Sequence, residues 1–203
     1  MADRIVYVGN RGGDTTSDAP ASAAIPTSQS TPYATLLGAI TAEKSGGSID
    51  GWALLGASDR LIIRLQSATS ETLSAALSIS ATEFPSPTAT KYLIVEGYGA
   101  GKHTGAWSTG YNPRITTNTY GQVISANLDY LVLRDFSITH SGADTSAGNQ
   151  ALANTTALIK MMVIERMVLS GRGRGLDLAG GATTGGHTVK NCIIRSLGSG
   201  NAI

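Results

Sequence analysis

Three seven-residue segments in the second half of the chain share one pattern, and it restricts the folds open to this sequence. They are Val132-Leu133-Arg134-Asp135-Phe136-Ser137-Ile138, Val163-Ile164-Glu165-Arg166-Met167-Val168-Leu169 and Thr188-Val189-Lys190-Asn191-Cys192-Ile193-Ile194, starting 31 and 25 residues apart. Each carries polar residues at its third and fourth positions and apolar residues at its fifth and seventh. A constant strand core at irregular spacing is what a solenoid produces when loops of different length leave successive coils. Leu93-Ile94-Val95-Glu96-Gly97 offers an earlier copy. A sandwich would place two-residue hairpin turns between its strands. The one Asn-Gly or Asp-Gly dipeptide, Asp50-Gly51, precedes a weak segment. The pattern therefore predicts an all-β chain, a right-handed parallel β-helix.

Strands are expected over residues 60–66, 77–80, 91–96, 122–126, 130–139, 158–169, 175–179 and 187–195, where β-branched and aliphatic residues lie between Gly, Ser, Thr and Asn. About six coils from Arg60 onward, stacked roughly 4.8 Å apart, would make a prism about 25 to 30 Å tall. The first quarter differs. Residues 4–8 alternate as a strand, and a turn-rich loop follows through Thr31. Thr31-Pro32 reads as an N-cap with Pro at the first helical position, and Leu36, Leu37 and Ile40 fall on one face of a short helix ending by Ser45-Gly46-Gly47. The division is a strand, loop and capping helix over residues 1–47 and coils over residues 48–203, one structural domain overall.

Charge and cysteine content remove several classes of function. The net charge is +1 with 14% charged residues, which argues against nucleic acid as a partner. One cysteine, Cys192, excludes an intramolecular disulfide, and His103, His140 and His187 lack zinc-ligand spacing, so no metal or other cofactor is expected. The longest apolar run, interrupted by Lys160, is far short of the roughly 20 residues that span a bilayer, so no membrane insertion is expected. The opening Met1-Ala2-Asp3-Arg4 lacks the form of an export signal.

The opening Ile5-Val6-Tyr7-Val8-Gly9, then Gly13-Asp14, then Thr31-Pro32-Tyr33-Ala34-Thr35-Leu36 leading into Ala39-Ile40, together with later coils such as 132–138, resembles the pectate-lyase-like superfamily of right-handed β-helix proteins. The resemblance implies that the short helix plugs the N-terminal end of the solenoid. It also implies a scaffold shared by polysaccharide lyases, glycoside hydrolases, virus tailspikes, fibres and adhesins. Resemblance to phage spikes and fibres implies a homotrimer. The chain closes on Ser199-Gly200-Asn201-Ala202-Ile203 in what reads as a coil turn, so the last apolar layer is expected to be covered by another subunit, another protein or further chain.

Several residues are candidates for chemistry. Arg134, Glu165 and Lys190 should stack, with Asp135, Arg166 and Asn191 beside them. Asp135 and Glu165 are the candidate acid and base of a glycosidase, set against ordinary charge-ladder pairing. Gly171-Arg172-Gly173-Arg174-Gly175 offers Arg172 and Arg174 to an anion, set against a tight turn between strands. Tyr98, Trp107, Tyr111 and Tyr120 are candidates for stacking on sugar rings or for packing on a neighbouring subunit. The stretch 96–103 lacks the glycine and the Ser or Thr of a phosphate loop. Asp14 and Asp18 lack calcium-loop spacing, and Asn154-Thr155-Thr156 has the form of a glycosylation acceptor.

These readings lead first to a non-catalytic structural protein of a virion, a bacteriophage tail spike or fibre or a capsid decoration protein, homotrimeric and bound to other virion proteins. It would be made in the host cytoplasm without a signal peptide. The alternatives are a polysaccharide lyase or glycosidase acting near Asp135 and Glu165, and an adhesin module binding cell-surface polysaccharide around Trp107.

Overall fold

The structure is a computed structural model and describes residues 3–9, 32–66, 69–99, 113–146, 148–155, 159–178 and 186–198. After β1 (Asp3–Val8) and α1 (Leu36–Glu43), the chain runs through strands in groups of three. The first group is β2 (Arg60–Gln66), β3 (Ser70–Leu73) and β4 (Leu77–Ser80), and the second is β5 (Leu93–Tyr98), β6 (Arg114–Thr117) and β7 (Ile124–Asn127). The third is β8 (Val132–Arg134), β9 (Ser137–His140) and β10 (Gln150–Asn154), and the fourth is β11 (Val163–Glu165), β12 (Val168–Gly171) and β13 (Arg174–Leu178). β14 (Thr188–Lys190) and β15 (Ile193–Ser196) begin a fifth.

Every third strand returns to the same sheet. The first sheet has the order β1-β2-β5-β8-β11-β14, the second β15-β12-β9-β6-β3 and the third β13-β10-β7-β4. All strand pairs among the described residues are parallel, an arrangement compatible with a parallel β-helix. Counting β1, the first sheet has six rungs, five of them from Arg60 onward, where the sequence reading expected about six.

The register explains the core. In the first sheet Val6, Ile63, Val95, Leu133, Ile164 and Val189 form one inward row. Ile115, Ile138, Leu169 and Ile194 form a row in the second sheet, and Leu77, Ile124, Leu152 and Leu176 one in the third. An interior coil thus sends one aliphatic side chain inward from each sheet, as with Ile164, Leu169 and Leu176, all fully buried. Each such burial contributes about 1.5 to 3 kcal/mol.

Three segments read as single strands are each two strands around a corner. Asp135, Arg166 and Asn191 have φ of 65°, 49° and 55°, a left-handed conformation that no strand accommodates. The corner appears in the sequence as a break in parity: Leu133, Phe136 and Ile138 all join the core, and the gap of three between the first two cannot occur along a straight strand. The stacked corners still bond along the axis, with the Asp135 amide donating to the Glu165 carbonyl at 3.2 Å and the Arg166 amide to the Lys190 carbonyl at 3.1 Å. Strands β3, β6 and β10 were not expected from the sequence; Thr, Ser and Gln hide their alternation.

Helix α1 begins later than its sequence signal. Its N-cap is Thr35, whose hydroxyl accepts from the Gly38 amide at 3.0 Å, rather than Thr31. Leu36, Ala39 and Ile40 face the core, whereas Leu37 is exposed, a correction to the expected face. The buried Glu71 carboxylate on β3 accepts from the Leu36 amide at 2.6 Å and the Leu37 amide at 3.3 Å, tying the positive end of the helix to the second sheet. At the other end Glu43 accepts from Arg4 Nε at 2.6 Å and Nη2 at 2.8 Å, and from the Tyr33 hydroxyl at 2.8 Å. Burial and the hydrogen bond to Glu43 push the Tyr33 hydroxyl pKa well above the ordinary phenol value.

Candidate functional site

The outer face of the first sheet carries the densest array of charged and aromatic side chains among the described residues. Because strand side chains alternate, the residues after each inward position project outward. In register these are Tyr7, Arg64, Glu96, Arg134, Glu165 and Lys190. From Arg64 onward the signs alternate. Glu96 accepts from Arg64 Nε at 2.7 Å and from Arg134 Nη2 at 2.5 Å, and Glu165 meets Lys190 Nζ at 3.3 Å. Stacked strands place such groups about 4.8 Å apart, so Glu96 reaches the cations on both sides of it, whereas Glu165 meets the row cation Lys190 on one side.

The corner beside this row adds a second cation. Arg166 grips the buried Asp135 carboxylate through Nε at 2.6 Å and Nη2 at 2.9 Å, and its Nη1 also donates to Glu165. The hydrogen bond to Asp135 and the nearby carboxylates hold the Arg166 pKa above the ordinary guanidinium value. Asp135 and Glu165 are therefore joined by one guanidinium, and the structure brings the two residues proposed for acid and base work into one ion network. A general acid needs a carboxyl group that keeps its proton, and burial in apolar surroundings is the usual means. Here both carboxylates are acceptors for cations, the arrangement that structural ladders use.

Further along the same face, Tyr7 and Tyr98 meet edge to face with centroids 5.9 Å apart, and the Arg64 guanidinium lies 4.9 Å from the Tyr98 ring centroid. Burial lowers the Arg64 pKa, and its hydrogen bonds to Glu96 and Tyr7 more than reverse this, leaving it raised. Beside the charged row runs an outward apolar row, Ile5, Ile62, Ile94, Val132 and Val163. Ile62 and Ile94 are buried although they lie outside the core cluster. Val132 and Val163 are half-buried and, with Ala89, Tyr92, Tyr130 and Met161, line a cleft of about 170 Å³.

The remaining candidates are dispersed. Tyr98 sits at the end of a first-sheet strand, while Tyr120, 76% exposed, lies at the corner between the second and third sheets. Trp107 and Tyr111 lie outside the described residues, as do Asp14 and Asp18. Arg172 donates to the Gly142 carbonyl, and Arg174 Nη1 pairs with Asp177 Oδ2 at 2.5 Å, so each guanidinium is engaged within the chain. A Cβ on Gly171 would stand 1.5 Å from the Arg174 carbonyl oxygen, so that glycine closes the tight corner between β12 and β13. Asn154 is buried in β10, which removes it as a glycosylation acceptor in the folded chain. Among the described residues no group of three or more His, Cys, Asp or Glu side chains could hold a metal ion, and no helix is long and apolar enough to cross a membrane.

Arg64 and Glu96 belong to the row but were not singled out from the sequence. The signal was present: Ile62-Ile63-Arg64 and Ile94-Val95-Glu96 repeat the apolar, apolar, charged order of Val132-Leu133-Arg134. Arg4, Glu43 and Glu71 had no such signal. Family models, curated proteins and solved structures give no match to the chain, so the chemistry of this face rests on its own geometry.

Proposed function

We propose that the chain is a right-handed parallel β-helix of the pectate-lyase-like kind, acting as a non-catalytic structural subunit. The assembly would be a homotrimeric tail spike or fibre, or a capsid decoration protein, on a virion. The handedness follows from the general preference of parallel strand connections. The observation that carries the structural role is the pairing of charges on the outer face. Arg64 and Arg134 flank Glu96, and Arg166 joins Asp135 to Glu165, which also meets Lys190, two groups of ion pairs that stiffen a stack and commit its carboxylates. The half-exposed strands β14 and β15 support an assembly in which a neighbour lies against that end.

The test is the mass of the native protein by light scattering over a range of concentrations. A stable trimer or larger particle built from the 20.8 kDa chain is the expected result. A monodisperse monomer at every concentration overturns the assembly. It would favour the second reading, a sugar-binding module, whose support is the apolar cleft between Tyr92 and Tyr130.

A further inference from the structure

The outward apolar row of the first sheet is covered at Ile62 and Ile94, which are 5% and 4% exposed. Val132 and Val163 are only half-buried and line the cleft of about 170 Å³ with Ala89, Tyr92, Tyr130 and Met161. The cleft spans the coils of β5, β8 and β11, inside the stack rather than at an end of it. Strands about 4.8 Å apart bring the side chains of neighbouring rungs into contact and leave no room for a further ring. Here the spacing is broken by backbone: Tyr130 and Met161 have φ of 54° and 36°, a left-handed conformation that bulky residues rarely adopt and that Gly or Asn takes readily. Strain of this kind gathers at ligand clamps.

The lining fixes the kind of ligand. The only side-chain oxygen or nitrogen atoms among its six residues are the two tyrosine hydroxyls. That of Tyr92 already accepts from Arg60 Nη1 at 3.5 Å, and the Arg60 guanidinium lies 5.9 Å from the Tyr92 ring centroid. The next outward residues along β8 and β11 are Arg134, paired with Glu96, and Glu165, paired with Arg166 and Lys190, so the charges beside the cleft favour a neutral ligand. A sugar buries several hydroxyls that each need a partner, whereas an aromatic ring needs none. Tyrosine rings and a methionine sulfur are groups against which aromatic rings pack. The size agrees too, since an enclosed apolar cavity of about 150 Å³ takes up benzene.

We propose that this cleft is a binding site for a small uncharged aromatic molecule of one ring, held by Tyr92, Tyr130 and Met161 over Val132 and Val163. A free molecule fits better than a partner protein, because the open apolar surface is one ring wide and a protein interface covers about 800 Å² on each side. The inference goes beyond the structural role and holds whether or not the chain assembles. It gives the cleft an aromatic occupant where the second reading gives it a sugar.

The probe is phenol, titrated into the 203-residue chain and followed by the methyl resonances of Val132, Met161 and Val163, with cyclohexanol, methyl glucoside and N-acetylphenylalaninamide as comparisons. Saturable phenol binding in about the millimolar range is expected. Tyr130→Asn removes the ring and suits the backbone, so its urea midpoint should equal or exceed that of the wild type while phenol binds about two to twelve times more weakly, the range for one aromatic pair. Met161→Asn repeats the test at the second strained residue if Tyr130→Asn fails to fold. The proposal is overturned by phenol shifts that do not saturate, by shifts confined to other methyl groups, or by unchanged affinity in the folded variants. Cyclohexanol binding as tightly as phenol overturns it as well, and methyl glucoside doing so returns the cleft to the second reading. N-acetylphenylalaninamide binding more tightly than phenol overturns the free ligand in favour of a partner's side chain.

Discussion

Val6 and Val189 occupy the same inward row at opposite ends of the first sheet, yet Val6 is 1% exposed and Val189 39%. Among the described residues both are terminal rungs with one strand neighbour. The difference is a cover. Over the first end lie Leu36, Ala39 and Ile40 of α1, with Trp52 and Phe84 packed edge to face at 5.3 Å. Stacking strands buries everything between coils and nothing beyond the last one, so each end of such a stack has to be closed by side chains from elsewhere. At the first end the closure is locked by polar groups. Arg4 and Glu43 are both buried and doubly hydrogen-bonded, geometry that offsets the cost of removing two charges from water. A Cβ at residue 51 would fall 1.7 Å from Glu43 Oε2, so Gly51 leaves room for the pair.

Removing that lock is the largest way to disturb the contrast. Glu43→Ala leaves the Arg4 guanidinium buried without its carboxylate, and an expected loss of about 3 to 5 kcal/mol should appear in urea unfolding. A loss below about 1 kcal/mol would mean that the covered end is held by apolar packing alone.

Truncations along one row sharpen the comparison. Ile164→Ala, in the fully buried interior, should cost about 2 to 5 kcal/mol, whereas Val189→Ala at the open end should cost less than about 1 kcal/mol. Equal costs by urea unfolding would show that the far end is covered in solution, as it would be in an assembly.

The smallest effect concerns pH and the covered end only. Burial raises the pKa of Glu71 above its ordinary value, opposed by the hydrogen bonds from the Leu36 and Leu37 amides. The folded state therefore binds this proton at higher pH than the unfolded state. Its contribution to stability is fully present below the ordinary carboxylate pKa and is lost as pH rises through the folded value. Stability measured from pH 4 to pH 7 should fall less steeply in Glu71→Gln than in the wild type. An identical slope would place the Glu71 carboxyl in water.

Much of this architecture was legible beforehand. The repeat around Leu133, Ile164 and Val189 was visible because local spacing decides which side chains share a face, and the register pairs those three residues. The stacking of Arg134, Glu165 and Lys190 followed from the same spacing. The corners were missed because Arg166 is an unusual residue for positive φ, and its preference yields to two bonds with Asp135 that exist only once the coils stack. The candidate platform of Tyr98, Trp107, Tyr111 and Tyr120 was read from closeness in sequence, and Tyr98 and Tyr120 lie on different corners because the chain turns between sheets after each strand.

By itself the sequence determined the repeating segment of the first sheet and its corner: where apolar residues recur, where charge recurs beside them, and that a short helix precedes the coils. These depend on periods of two and of three to four residues, which neighbours along the chain impose through backbone geometry. Tertiary structure alone decided how the unit is closed. Arg4 meets Glu43 across 39 residues and the Leu36 amide meets Glu71 across 35. No local period encodes such contacts, because their geometry exists only after the stacked coils have brought distant carboxylates, amides and guanidinium groups to one end of the core.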